Sequence, residues 1–156
     1  MITEITSVIA VVLSVLYLGL QIRDNTKVLR SQAHYNALSL AQRPMEMMIE
    51  NEGLATIVNI GYTTPDTLNA DDWARFGNYV FIGFNAWEYL YYQNGDRSIP
   101  RELWVGADAY FKGLVAMHPG LVRFWSEYQA SFDEPFRTYV ADEFAKAPAR
   151  GPIADR

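Results

Sequence analysis

The chain contains no cysteine. That excludes disulfides, thiolate metal sites and a cysteine nucleophile, and it says nothing about compartment. Histidine is almost as scarce, with only His34 and His118. A helical histidine site needs a second ligand three or four residues away, and neither histidine has one. His34 reads as a solvated residue on a helix and His118 as a helix C-terminal residue. The glycines are scattered, with no G-x-S-x-G, G-x-x-x-x-G-K-[ST] or G-x-G-x-x-G arrangement. Serine nucleophiles and phosphate cradles therefore have no support. An excess of basic charge is missing too. Thirteen Lys and Arg face 18 Asp and Glu, giving a net charge of −5, which argues against nucleic acid as a partner. No metal or organic cofactor is expected.

What is abundant is apolar and aromatic. Half of the 156 residues are hydrophobic and 14% are aromatic, enough for one packed domain and too few residues for two. The first of these apolar stretches is continuous. Residues 5–22 read ITSVIAVVLSVLYLGLQI, with no charge between Glu4 and Arg23. As a helix this run is about 27 Å long, against a hydrocarbon core of about 30 Å. A cleaved signal peptide would want a basic start and a small-x-small site after the run. Glu4 is the one charged side chain before it, and Gly19-Leu20-Gln21 is a poor cleavage site. The run reads as an uncleaved transmembrane anchor, residues 1–22, whose first partner is the lipid bilayer. Arg23, Lys27 and Arg30 follow it with no basic side chain before it. The positive-inside rule then places the N-terminus outside and the rest in the cytoplasm.

One face of the anchor carries Thr6, Ala10 and Ser14 at four-residue spacing. This small-xxx-small pattern lets helix backbones approach closely, so it is a candidate contact with another membrane helix or a second copy. Hydroxyls of Thr6 and Ser14 can instead bond back to their own helix, which requires no partner.

Residues 23–147 read as a helical domain with no strand pairs. From Arg23 to Gln42 there is no Pro or Gly, and Leu29, Ala33, Ala37, Leu40 and Ala41 recur at helical spacing. The anchor is expected to run on as one juxtamembrane helix ending near Arg43, with Pro44 starting a second. A short helix over 54–60 should end at Gly61. Asn69 reads as the N-cap of a helix reaching about Gln93, with Asp71 and Asp72 in its first turn. Trp73, Phe76, Val80, Phe84, Trp87 and Tyr91 follow one face of it, while Tyr79, Ile82, Ala86 and Tyr89 make the other side apolar. Such a helix is central in its domain. Three further helices are predicted over 100–117, 121–130 and 135–147. The Pro/Gly/Ala-rich tail, 148–156, is predicted to be disordered. The fold class is all-α: a transmembrane helix, a long juxtamembrane continuation and a small helical bundle.

The segment Leu20-Gln21-Ile22-Arg23-Asp24-Asn25-Thr26-Lys27 is distinctive. An apolar N-terminal helix followed by this LQIRxNT pattern resembles a widespread group of small, uncharacterised bacterial membrane proteins. Glu88 with Tyr91-Tyr92-Gln93, then Pro100, Leu103 and Trp104, and Phe124-Trp125 extend the resemblance over nearly the whole chain. It implies a bacterial source and the same layout, hence the inner membrane, and it implies no activity.

Glu88 is the candidate buried polar or ligand site, set among Trp87, Tyr91 and Tyr92. A carboxylate in apolar surroundings has a raised pKa and could act as an acid, a base or a ligand contact. It could equally pair with Arg75, Arg101 or Arg123, or bond a tyrosine hydroxyl. Asp71, Asp72 and Glu102 are explained as helix-start charges. The aromatic stripe is core, or else an apolar groove for a lipid, quinone or partner helix. These features favour a non-enzymatic, membrane-anchored accessory or interaction subunit of a membrane complex. The alternatives are a homo-oligomeric assembly or pore, and a tethered sensor or enzyme using Glu88.

Overall fold

The computed structural model describes residues 2–146, with side chains from Ile9 onward. The expected tail, 148–156, lies outside the described residues. The described residues are all-α, with six helices and two short 3-10 turns. The helices are α1 (Ile2–Glu50), α2 (Glu52–Thr63), α3 (Ala70–Gly95), α4 (Arg101–Met117), α5 (Pro119–Tyr128) and α6 (Glu134–Lys146).

Helix α3 is the centre. It packs against α1, α2, α4 and α5. Asn69 caps it as the sequence predicts: the Asp72 amide donates to Asn69 Oδ1 at 2.9 Å. Phe76, Trp87 and Leu90 are at most 1% exposed, so the aromatic stripe is core. Its rings interlock with those of α4, α5 and α6. Trp87 stacks on Phe111 at 5.2 Å, and Phe84 lies 5.3 Å from Phe124 and 5.5 Å from Trp125. Offset and edge-to-face pairs of this kind add to simple area burial.

Helix α1 is about 74 Å long at 1.5 Å per residue and divides into two parts. Its C-terminal third packs on α3 through Ala33, Ala37, Ala41, Pro44 and Met48, spaced by three or four residues. Toward the N-terminus the side chains from Ile9 through Gln32 are all exposed. No helix among the described residues is long and apolar enough to cross a membrane. The expected span, 5–22, begins in four residues whose side chains lie outside the described set. An 18-residue stretch starting at Ile9 already takes in Arg23, Asp24 and Asn25.

Two expected helix ends are corrected. The first is Pro44, which does not end α1 but lies inside it, so the segment expected as a second helix is its last turns. Proline removes one helical hydrogen bond; here Pro44 is buried and lines the same apolar pocket as Tyr79 and Val80 of α3. The second is Gly61, which does not terminate α2; the helix runs two residues further. Gly61 is instead a crossing point. A Cβ on Gly120 would lie 1.8 Å from the Gly61 carbonyl oxygen, and one on Gly61 would lie 2.3 Å from Phe76. Gly120 lets α5 touch the backbone of α2, and Gly61 leaves room for the Phe76 ring of α3. Asn51, which the sequence reading did not single out, caps α2 by accepting from the Leu54 amide at 2.9 Å.

Candidate functional site

Glu88 stands on α3 next to buried Trp87 and is half-buried. Its partner is neither an arginine nor a tyrosine hydroxyl. The carboxylate accepts a hydrogen bond from the Asp133 amide at 3.0 Å, immediately before α6. Burial pushes its pKa above the usual carboxylate range. The Asp133 amide pulls it back only in part, and the Asp133 charge adds to the rise. One turn further along α3, burial raises the Tyr92 pKa as well, and the nearby Asp133 and Glu88 charges add to the rise. Glu88 thus serves a free amide at the start of α6, a standard need of helix N-termini. Tyr91 is half-buried and joins a ring cluster with Tyr92, Trp104, Phe136 and Tyr139. Of the arginines considered for Glu88, Arg75 pairs with Asp72. Arg123 lies 3.9 Å over the Trp73 ring and bonds Glu127 and the Pro65 carbonyl.

The structure gathers a second polar cluster that the sequence reading missed. Asp108 on α4 is the most buried charged residue among those described, 9% exposed. Its Oδ1 accepts from Trp87 Nε1 at 3.0 Å and from the Tyr139 hydroxyl at 2.6 Å. Its Oδ2 pairs with Lys112 Nζ at 2.8 Å, and Lys112 also reaches Glu143 at 3.5 Å. A signal was available: Trp104, Asp108, Phe111 and Val115 share one helical face, so Asp108 interrupts an apolar stripe, and Lys112 follows it by four.

This cluster holds protons firmly. Burial would lower the Lys112 pKa, but its bonds to Asp108 and Tyr139 outweigh that and leave it raised. Burial and the bond to Asp108 push Tyr139 up to about 12. Both groups keep their protons near neutral pH, so neither is poised for acid–base work. The cluster clamps α3, α4 and α6 together.

The apolar pocket between α1, α3 and α4 is small. Tyr62, Tyr79, Tyr110, Met45 and Leu114 help to line it, and it holds about 30 Å³. One or two waters fill such a space, whereas small-molecule sites measure about 300–1,000 Å³. Tyr79 donates to Met48 Sδ at 3.1 Å, and burial raises the pKa values of Tyr62 and Tyr79.

Of the anchor residues, Thr6 lies outside the described side chains. Ala10 and Ser14 are exposed, and Ser14 Oγ donates to the Ala10 carbonyl at 2.8 Å. Its hydroxyl is thereby satisfied within the helix. His34 is half-buried beside Arg30, and His118 is joined to Tyr62 by ring stacking at 4.4 Å. No group of three His, Asp or Glu residues gathers at metal-binding distances among the described residues. Compared with known proteins, the chain matches no family model, no curated protein and no solved structure.

Proposed function

We propose that this chain is a membrane-anchored, non-enzymatic interaction subunit of bacterial inner-membrane complexes, with the layout of the LQIRxNT group it resembles. The observation that carries the reading is the division of α1. Its apolar residues from Ile9 to Ile22 are covered by none of the described residues, with Leu13, Val15, Leu16 and Ile22 each about 60% exposed. Exposed apolar surface on this scale marks a membrane or protein interface. The same helix continues without a break into the core of the bundle, so whatever holds its N-terminal part also fixes the position of the domain. The domain itself favours a structural role: among the described residues its buried side-chain polar atoms all have hydrogen-bond partners.

The test is purification of the full chain from its native membrane in a mild detergent, followed by mass determination. A stoichiometric heterologous partner that is lost on Ala10→Leu or Ser14→Leu supports the reading, since bulk on a small-residue face blocks close helix approach. A fixed homo-oligomer replaces it with the assembly reading, and a monomer carrying a bound small molecule replaces it with the sensor reading.

A further inference from the structure

We infer that the groove between α1 and the α3–α4 loop binds the phosphodiester of an anionic glycerophospholipid headgroup in the bilayer that holds α1. The inference rests on the anchoring proposed above. The open groove measures about 520 Å³; Arg30, Ser31 and His34 from α1 and Arg97 and Ser98 from the loop are the donors in a lining that is otherwise apolar or aromatic. Two guanidiniums, two hydroxyls and an imidazole are the donors that a phosphate oxygen takes. Among the described residues neither arginine has a carboxylate within 4 Å, although Arg23, Arg43, Arg75, Arg123 and Arg137 each have one.

Arg97 is held there at a conformational cost. It is the only non-glycine residue with positive φ among those described, at 54°. It ends α3 in a Schellman turn, with the Ser98 amide donating to the Gln93 carbonyl and the Arg97 amide to that of Asn94. Glycine is the usual residue at this position because it has no Cβ to clash. The positive N-terminal end of α4, which has no side-chain cap, meets the negative end of α3 at this loop. The two dipoles offset one another, so the side chains set the sign of the groove.

Position supports a lipid over a free anion. Arg30 lies eight residues beyond Ile22, about 12 Å along the helix. Side chains on a helix lean toward its N-terminus, which here is the direction of the bilayer. The polar layer of a bilayer extends roughly 5–8 Å past the hydrocarbon, within reach of a long arginine and of a lipid's own headgroup.

The experiment titrates the full chain in a neutral detergent with dihexanoyl phosphatidylglycerol, dihexanoyl phosphatidylcholine and inorganic phosphate, followed by calorimetry. Saturable binding of the phosphatidylglycerol alone is the expected result. Arg30→Gln and Arg97→Gly should each weaken it about five-fold, and together about 25-fold, the effect of about 1 kcal/mol per basic residue at an anionic surface. Arg97→Gly relieves the backbone and so preserves the fold. Arg75→Gln, at the far end of α3, should change nothing. Equal binding of phosphatidylcholine, equal binding of inorganic phosphate, or titrations indifferent to both arginines would each overturn the inference. Flotation of the same protein with pure phosphatidylcholine vesicles separates the two readings. Failure to float removes the anchor and with it the lipid source. Flotation alongside arginine-independent titrations removes the headgroup site alone.

Discussion

Replacing Trp87 tests the architecture at its centre. The indole is 0% exposed and lies between Phe84, Phe111, Phe136 and Tyr139. Its Nε1 donates to Asp108 at 3.0 Å. Trp87→Ala removes the ring and leaves a cavity, at a cost of about 3–5 kcal/mol. It also takes one donor from a buried carboxylate, worth about 1 kcal/mol more. The sum approaches the whole stability of an ordinary domain, about 5–15 kcal/mol, so a milder variant is needed alongside it. Trp87→Phe keeps one ring against Phe111. It loses the hydrogen bond, about 1 kcal/mol, and leaves a small void, about 1 kcal/mol at roughly 24 cal/mol per Å³. The assay is urea unfolding of the full chain in mild detergent, followed by the helical circular dichroism signal. The account expects losses of about 2 kcal/mol for Phe and at least 4 kcal/mol for Ala. A loss below about 1 kcal/mol for Trp87→Ala would refute the placement of this ring in the core and revive an aromatic groove.

Three further predictions follow from the packing and the buried charges. Gly120→Ala should destabilise the domain by about 1–3 kcal/mol or more, because the new Cβ meets the Gly61 backbone and not a movable side chain; an unchanged unfolding midpoint would mean that α2 and α5 do not cross there. Glu88 has a raised pKa in the folded protein, so the native state binds its proton more readily than the unfolded chain does. Stability should then fall as pH rises from about 4.5 through the raised value. Glu88→Gln should flatten that slope while keeping an acceptor for the Asp133 amide, whereas a slope of opposite sign would show an ion-paired Glu88. Asp108→Ala should cost more than Glu88→Gln at neutral pH. It strands the indole N–H and the Tyr139 hydroxyl and leaves Lys112 with Glu143 alone, at 3.5 Å; the breaking of a fully buried pair costs about 3–5 kcal/mol, and Lys112 is about a third exposed, which reduces its share. Parallel unfolding curves for the two variants would contradict the clamp.

Local physics was legible in the sequence wherever neighbours along the chain decide the outcome. Asn69 with Asp71 and Asp72 announced the start of α3, and the aromatic period of α3 announced its central place. The misreadings arose where a distant segment decides. Pro44 stays inside α1, where it is buried, and Gly61 stays inside α2, where the Phe76 ring of α3 occupies the space a Cβ would take. Half-burial of Glu88 was readable from its neighbours. Its partner was not, because the Asp133 amide lies 45 residues away and backbone groups leave no mark in a sequence. Asp108 left a trace as a carboxylate on the apolar face of α4, but its environment depends on Trp87 and Tyr139 from two other helices.

On the proposed function, the apolar N-terminal part of α1 holds the protein in a bilayer. Alkaline carbonate extraction of membranes from cells expressing the full chain tests it most directly. Integral proteins stay with the lipid under this treatment because their apolar helices cannot leave hydrocarbon without exposing it to water. The account predicts that the chain remains in the membrane pellet, and that replacing Val11, Leu13 and Leu16 with Asp releases it. Quantitative release of the unaltered chain into the supernatant would contradict the claim.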